Sequence, residues 1–306
     1  MSFGYTNRIS KYLSMVLPDR LIFSFFVENH ISKKHTIQKN IYNVELQSLK
    51  STNQITKELQ DLCNNYNFEK SIMLSVFGSI ATEEITNYSD FDGVLIYDEE
   101  KFINHISIIN LKRLIEKINL TAHLQDSLQH HRILVFGKHE MIKKSDDVIN
   151  NLITESKVIN GTSEISLNKH SKADYGSSLK KLVHSIQKKM IQEHLWENQY
   201  FFKNMLSELL LLPCSYLQCQ NKKYISKKDS FEAIKSVLQP NELALISKLE
   251  DIRKNWKQNV INKSDLNKTT IKSIKANSKT QLEFIAILSE IKIDLLFLIK
   301  RLESND

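Results

Sequence analysis

Proline and glycine are scarce: three prolines and six glycines serve 306 residues. That is too few for the many tight turns of an all-β sandwich or barrel, so a helix-rich chain is expected. Cysteine is equally thin. Cys63, Cys214 and Cys219 form an odd set without framework spacing, which excludes a disulfide scaffold and fits a reduced, cytoplasmic protein. Cys214 and Cys219 are not spaced to put two thiolates on one helix face, so no zinc site is expected there. Long hydrophobic runs are missing as well. The segment from Leu21 to Val27 is short and bounded by Asp19, Arg20 and Glu28. No small-residue cleavage site follows it, so it reads as a buried segment, neither signal peptide nor membrane anchor. No internal repeat and no low-complexity tract occurs.

What is present is a core-forming, basic chain. Hydrophobic residues make up 41% and charged residues 25%, enough to bury a core, and the formal net charge is +7. Such a balance favours a polyanionic partner such as RNA or a nucleoside triphosphate. Lysine-rich helices that simply solvate themselves give the same balance.

The periodicity of apolar residues divides the chain. Ile41, Val44, Ile55, Leu59 and Leu62 predict a helix from Thr36 to about Tyr66. Short apolar runs predict strands over Ser71–Phe77, Asp92–Tyr97, Leu120–Leu124 and Ile133–Phe136, with a helix between Glu99 and Asn119. Asn160–Ala173 reads as a connecting loop. Beyond it, helices are predicted from Tyr175 to Leu212, ended by Pro213, and over Ser230–Leu238, Glu242–Asn262 and Thr280–Leu302. The expected fold is therefore α/β (α+β): a small mixed-sheet module with an N-terminal helical extension over residues 1–158, then an all-helical domain over 159–306.

One segment carries chemistry. Val76-Phe77-Gly78-Ser79 is followed, ten residues later, by Asp90-Phe91-Asp92-Gly93-Val94. Gly78 has no side chain to keep a phosphate from the backbone, and the Ser79 hydroxyl with neighbouring amides can hold phosphate oxygens. Asp90 and Asp92, at i and i+2 where a strand begins, project from one face. Two carboxylates that close repel unless a cation lies between them, and Mg²⁺ takes such oxygens and shares them with phosphates. An Asx-rich turn, Asn87-Tyr88-Ser89-Asp90, capping a hairpin is the plain structural alternative.

Together these residues resemble the signature of the polymerase-beta-like nucleotidyltransferase superfamily: a hydrophobic strand, Gly-Ser, a spacer, then Asp-hydrophobic-Asp and a hydrophobic run. The resemblance covers roughly residues 68 to 138. It implies a catalytic module that moves a nucleoside monophosphate from a nucleoside triphosphate to an acceptor, with Mg²⁺ or Mn²⁺ on Asp90 and Asp92. It also implies a third carboxylate on a later strand. Here the candidate is Asp126, as metal ligand and base, although it does not lie within a hydrophobic strand. His130 and His131 follow closely, and His131 is the alternative proton acceptor. In the helical part, Lys222-Lys223-Tyr224-Ile225-Ser226-Lys227-Lys228 resembles a segment from which a lysine reaches the triphosphate, making Lys227 and Lys228 candidates beside Gly78 and Ser79. A solvated basic turn before a helix capped by Asp229 or Ser230 is the alternative. The acceptor is open among RNA such as a tRNA end, a protein and a small molecule. A non-catalytic nucleotide-binding module on the same fold, regulatory or antitoxin-like, is the rival function.

Overall fold

In a computed structural model the described residues are 41–50, 53–68, 71–86, 88–126, 128–129, 131–144, 146–168, 173–256 and 279–304. The Leu21–Val27 run, Asn87 and His130 lie outside them. The first of the described elements are strands β1 (Ile41–Glu45) and β2 (Gln47–Ser48), helix α1 (Gln54–Asn64), strand β3 (Ile72–Val76), the single turn α2 (Gly78–Ala81) and strand β4 (Gly93–Tyr97). Helix α3 (His105–Gln125), strand β5 (Leu134–Gly137), helices α4 (Lys138–Lys144) and α5 (Asp147–Thr154), and strands β6 (Lys157–Gly161) and β7 (Glu164–Asn168) complete the first part. Among the described residues only helices follow: α6 (Tyr175–Ile191), α7 (Gln199–Leu209), α8 (Leu212–Asn221), α9 (Lys227–Ala233), α10 (Pro240–Lys254) and α11 (Lys279–Ser304). A small mixed sheet followed by a helical region is the expected fold class.

Five strands pair in the order β2-β6-β3-β4-β5. The two edge pairings are parallel and the two central ones antiparallel. All five residues of β3 and of β4 are buried, so both faces of the sheet are covered. Ile72, Leu74 and Val76 pack with α1 and α3 on one face, while Met73, Val94 and Ile96 pack with α4 and α5 on the other. That alternation is the pleat of a strand read twice. A third core joins the helices α6–α11 and takes in Tyr88 and Leu128 from the sheet module.

Several sequence expectations give way here. Of the span predicted as a helix from Thr36, residues 36–40 lie outside the described residues, residues 41–45 pair antiparallel with β7, and the helix runs from Gln54. Leu120–Leu124 is the end of α3, where Leu114, Ile118 and Ala122 recur at four-residue spacing on the buried face. The loop expected over Asn160–Ala173 instead holds the end of β6 and the whole of β7, which pair with different strands, β6 with β2 and β3 and β7 with β1. Its Gly161 has φ +95°, and a Cβ there would meet the Ile72 carbonyl oxygen at 1.9 Å. Strands thus continue to Asn168. The predicted Tyr175–Leu212 helix is two, α6 and α7, separated by a 3-10 turn at Glu193–Leu195. Pro213 does not end a helix; it sits in the first turn of α8, where its missing N–H costs nothing. α9 is capped by Ser226, which accepts from the Asp229 amide, so Lys227 and Lys228 open that helix. α10 ends at Lys254, and the rest of its predicted span lies outside the described residues beyond 256. Among the described residues no helix is long and apolar enough to cross a membrane.

Candidate active site

β3 ends at Val76, and its pairing with β4 brings Val76 opposite Gly93. The Phe77 amide donates to the Asp92 carbonyl at 3.0 Å. The chain then turns through Gly78, whose φ of +65° is left-handed. A Cβ at Gly78 would lie 2.8 Å from Asp92 Oδ2, so only glycine lets the carboxylate come this close. The Gly78-Ser79 turn and the Asp90–Asp92 pair are thus brought together.

The two aspartates are held by a neighbour absent from the motif. The buried side-chain amide of Gln129 donates to the Phe91 carbonyl and accepts from the Phe91 amide, both at 2.8 Å. The same amide donates to the His131 carbonyl at 3.2 Å. Just upstream, the Tyr88 hydroxyl donates to the Lys203 carbonyl at 3.0 Å and pairs with Ser207 Oγ at 2.6 Å. The Tyr88 ring meets Trp256 edge-on. The segment carrying the aspartates is therefore pinned to the helices on one side and to the turn after α3 on the other.

Asp126 caps the C-terminus of α3 and is buried; its Oδ1 accepts from the Leu128 amide at 2.9 Å. Its Oδ2 accepts from Lys203 Nζ at 2.5 Å, and the same nitrogen donates to Asp90 Oδ1 at 2.7 Å. Lys203 is wholly buried on α7, with its ammonium 5.2 Å from the centre of the Tyr88 ring. Burial pushes the Asp126 carboxyl above its ordinary pKa and Asp90 adds to the rise, while Lys203 opposes it. Asp126 thus stands at a helix end, with the Lys203 ammonium between it and Asp90. β5 itself, LVFG, carries no acidic residue.

His131 lies across the pair. Its Nε2 donates to Asp92 Oδ1 at 3.1 Å and lies 3.8 Å from Asp90 Oδ2. Burial would lower the imidazole pKa, but Asp92 and Asp90 overcome that and raise it. Lys227 is half-buried and depressed to about 8 by desolvation, with Arg253 adding to the fall and Asp92 and Asp90 opposing it. It therefore shares the field of the aspartates. Lys228 points elsewhere, exposed and paired with Glu84 at 2.6 Å. Gln129, Lys203 and Arg253 are site residues the sequence motif did not reveal. For Lys203 there was a signal: it falls on the buried stripe of α7 with Phe202, Met205 and Leu206, where a lysine needs a partner.

Asp90 and Asp92 suit a hard divalent cation by donor type, carboxylate oxygens beside a turn open to phosphate. Among the described residues, no group of three or more His, Cys, Asp or Glu side chains is arranged to hold a metal ion. The protein's share fits one or two carboxylates, with substrate phosphates supplying the rest.

No protein-family model matches the chain, and no curated protein matches it in sequence. Among solved structures, a spectinomycin adenyltransferase from Enterococcus faecialis, crystallised with ATP and spectinomycin, is similar over 78% of this chain and 100% of its own. The identity is 12% and the TM-score 0.41. The chemistry of the site accordingly rests on its own residues.

Proposed function

We propose that this chain is a metal-dependent nucleotidyltransferase, moving a nucleoside monophosphate from a nucleoside triphosphate to an acceptor hydroxyl. The observation that carries the reading is how close Asp92 comes to the side-chain-free turn at Gly78, where a Cβ would lie 2.8 Å from its Oδ2. Mg²⁺ or Mn²⁺ held by Asp90 and Asp92 would supply neutralisation of the charge that develops on the α-phosphate and departing pyrophosphate. Gly78 and Ser79 grip the β- and γ-phosphates, and Lys227 adds a positive charge from the helical side. Lys228 joins them only by exchanging Glu84 for phosphate. The acceptor oxygen bonds to the α-phosphorus as the bond to pyrophosphate breaks. Its proton goes to a neighbouring base, for which His131, half-exposed and given up by Asp92 as an unprotonated imidazole when a cation takes that carboxylate, is better placed than Asp126 beneath Lys203.

The rival reading, a nucleotide-binding module without catalysis, has one observation in its favour: the third carboxylate is engaged by a lysine and β5 supplies no other. The two readings part on pyrophosphate. Incubation with each nucleoside triphosphate labelled at the α-phosphate, Mg²⁺ or Mn²⁺, and cellular RNA, protein or small-molecule extract should move label to one acceptor pool with equimolar pyrophosphate. Nucleotide binding with no pyrophosphate released in any pool would establish the rival.

A further inference from the structure

Lys203 is an unusual residue to bury. A lone ammonium withdrawn from water costs far more than a fold can spare unless opposite charges meet it. Here two do: Asp90 Oδ1 at 2.7 Å and Asp126 Oδ2 at 2.5 Å. Both oxygens lie on the one nitrogen, and the Tyr88 ring faces it. Without that nitrogen, the two carboxylates would face each other across a largely buried corner of the site. In sites that use two metal ions, spaced roughly 3.5–4 Å apart, a second divalent cation relieves this kind of crowding.

We propose that the Lys203 ammonium is a built-in second cation, standing between Asp90 and Asp126, so that the site takes a single divalent ion at Asp90–Asp92. The inference rests on the nucleotidyltransferase reading above. It gives α7 a role in the site: this helix carries a permanent charge to a place that would otherwise be filled from solution. Asp126 then acts as a positioning residue, holding the lysine, while Lys203 in turn fixes the orientation of Asp90. A metal ion at Asp90–Asp92 would take the place of His131, whose Nε2 lies 3.1 Å from Asp92 Oδ1 and 3.8 Å from Asp90 Oδ2.

Metal stoichiometry tests this without reference to turnover. Bound Mn²⁺ is counted by equilibrium dialysis, and its spin coupling followed by electron paramagnetic resonance, with α,β-methylene analogues of the four common nucleoside triphosphates. The expected result is one Mn²⁺ per wild-type chain and no coupled pair. Lys203→Met should bind a second, spin-coupled Mn²⁺, and Lys203→Arg, which keeps a cation, should stay at one. Two ions on the wild-type chain would overturn the inference and leave the nucleotidyltransferase reading standing, as would a folded Lys203→Met that still takes one. If Lys203→Met does not fold, the wild-type count decides alone. No Mn²⁺ and no analogue bound by the wild type would remove the reading and the inference together.

Discussion

Gln129 grips Phe91 by both backbone groups, donating to its carbonyl and accepting from its amide at 2.8 Å each. Phe91 separates the two aspartates, so a single side-chain amide sets how Asp90 and Asp92 are presented. Gln129→Leu keeps the bulk and strands both buried groups, at about 1–3 kcal/mol for each one left unpaired. The variant should melt well below the wild type and lose transfer even where it remains folded. Gln129→Glu, which keeps the acceptor and loses the donor, should fall between the two. Thermal unfolding with an activity assay on the folded fraction checks this; wild-type turnover in Gln129→Leu would deny Gln129 its role.

Asp90→Asn and Asp92→Asn should both abolish transfer, yet differ in stability. Asp92 is partly exposed and pairs with a half-exposed histidine, so its loss should leave the melting temperature nearly unchanged. Asp90 neutralises a wholly buried lysine. Its replacement leaves Lys203 with Asp126 only, and should cost a good part of the roughly 3–5 kcal/mol typical of a broken buried pair. Denaturant titration of the two variants side by side reads the difference, and equal stabilities would show that Lys203 does not depend on Asp90.

The Gly-Ser turn and the aspartates were legible because they are local: a strand end, a glycine, and two carboxylates within one short stretch of chain. Residues that reach the site through tertiary packing were not. Lys203 is 113 residues from Asp90 and 77 from Asp126 in sequence, and nothing local says which surface its helix face meets. Gln129 reads in sequence as a polar turn residue, and its partner is a backbone. The misread elements share a cause, since periodicity alone does not separate α3's last turn from a strand, nor short strands of mixed residues from a loop.

Gly78→Ala should impair catalysis more than folding. Alanine at φ +65° costs on the order of 1–2 kcal/mol, a loss most domains survive. Its Cβ, though, would press on Asp92 Oδ2 at 2.8 Å, and the carboxylate must move. A folded variant with turnover down by tenfold or more is expected. Unaltered activity would mean Asp92 can shift without consequence.

Lys227 gives the site an alkaline limit. Burial and Arg253 hold its pKa near 8 against the pull of Asp92 and Asp90, and the thiol of Cys214 also faces it. A bound triphosphate raises that pKa, so binding takes up a proton once the free site has lost it. Affinity measured without divalent cation should be flat below pH 8 and fall above it by up to about tenfold per pH unit. Lys227→Arg should remove the fall. The sign for the unliganded fold is opposite: its pKa is depressed from the ordinary 10.5, so this group adds stability as pH rises from about 8 to 10.5. Calorimetric titration across pH 7 to 10 on both proteins checks the binding limb; an identical fall in Lys227→Arg would place its origin elsewhere.

The central claim is that the α-phosphorus is the atom attacked, and the position of a label tests it most directly. Two parallel reactions carry the same nucleoside triphosphate, one labelled at the α-phosphate and one at the γ-phosphate, with acceptor pools and Mg²⁺. The account expects the α-label on the acceptor, the γ-label in pyrophosphate, and both lost in Asp92→Asn. A γ-label on the acceptor, or transfer that survives Asp92→Asn, would contradict it.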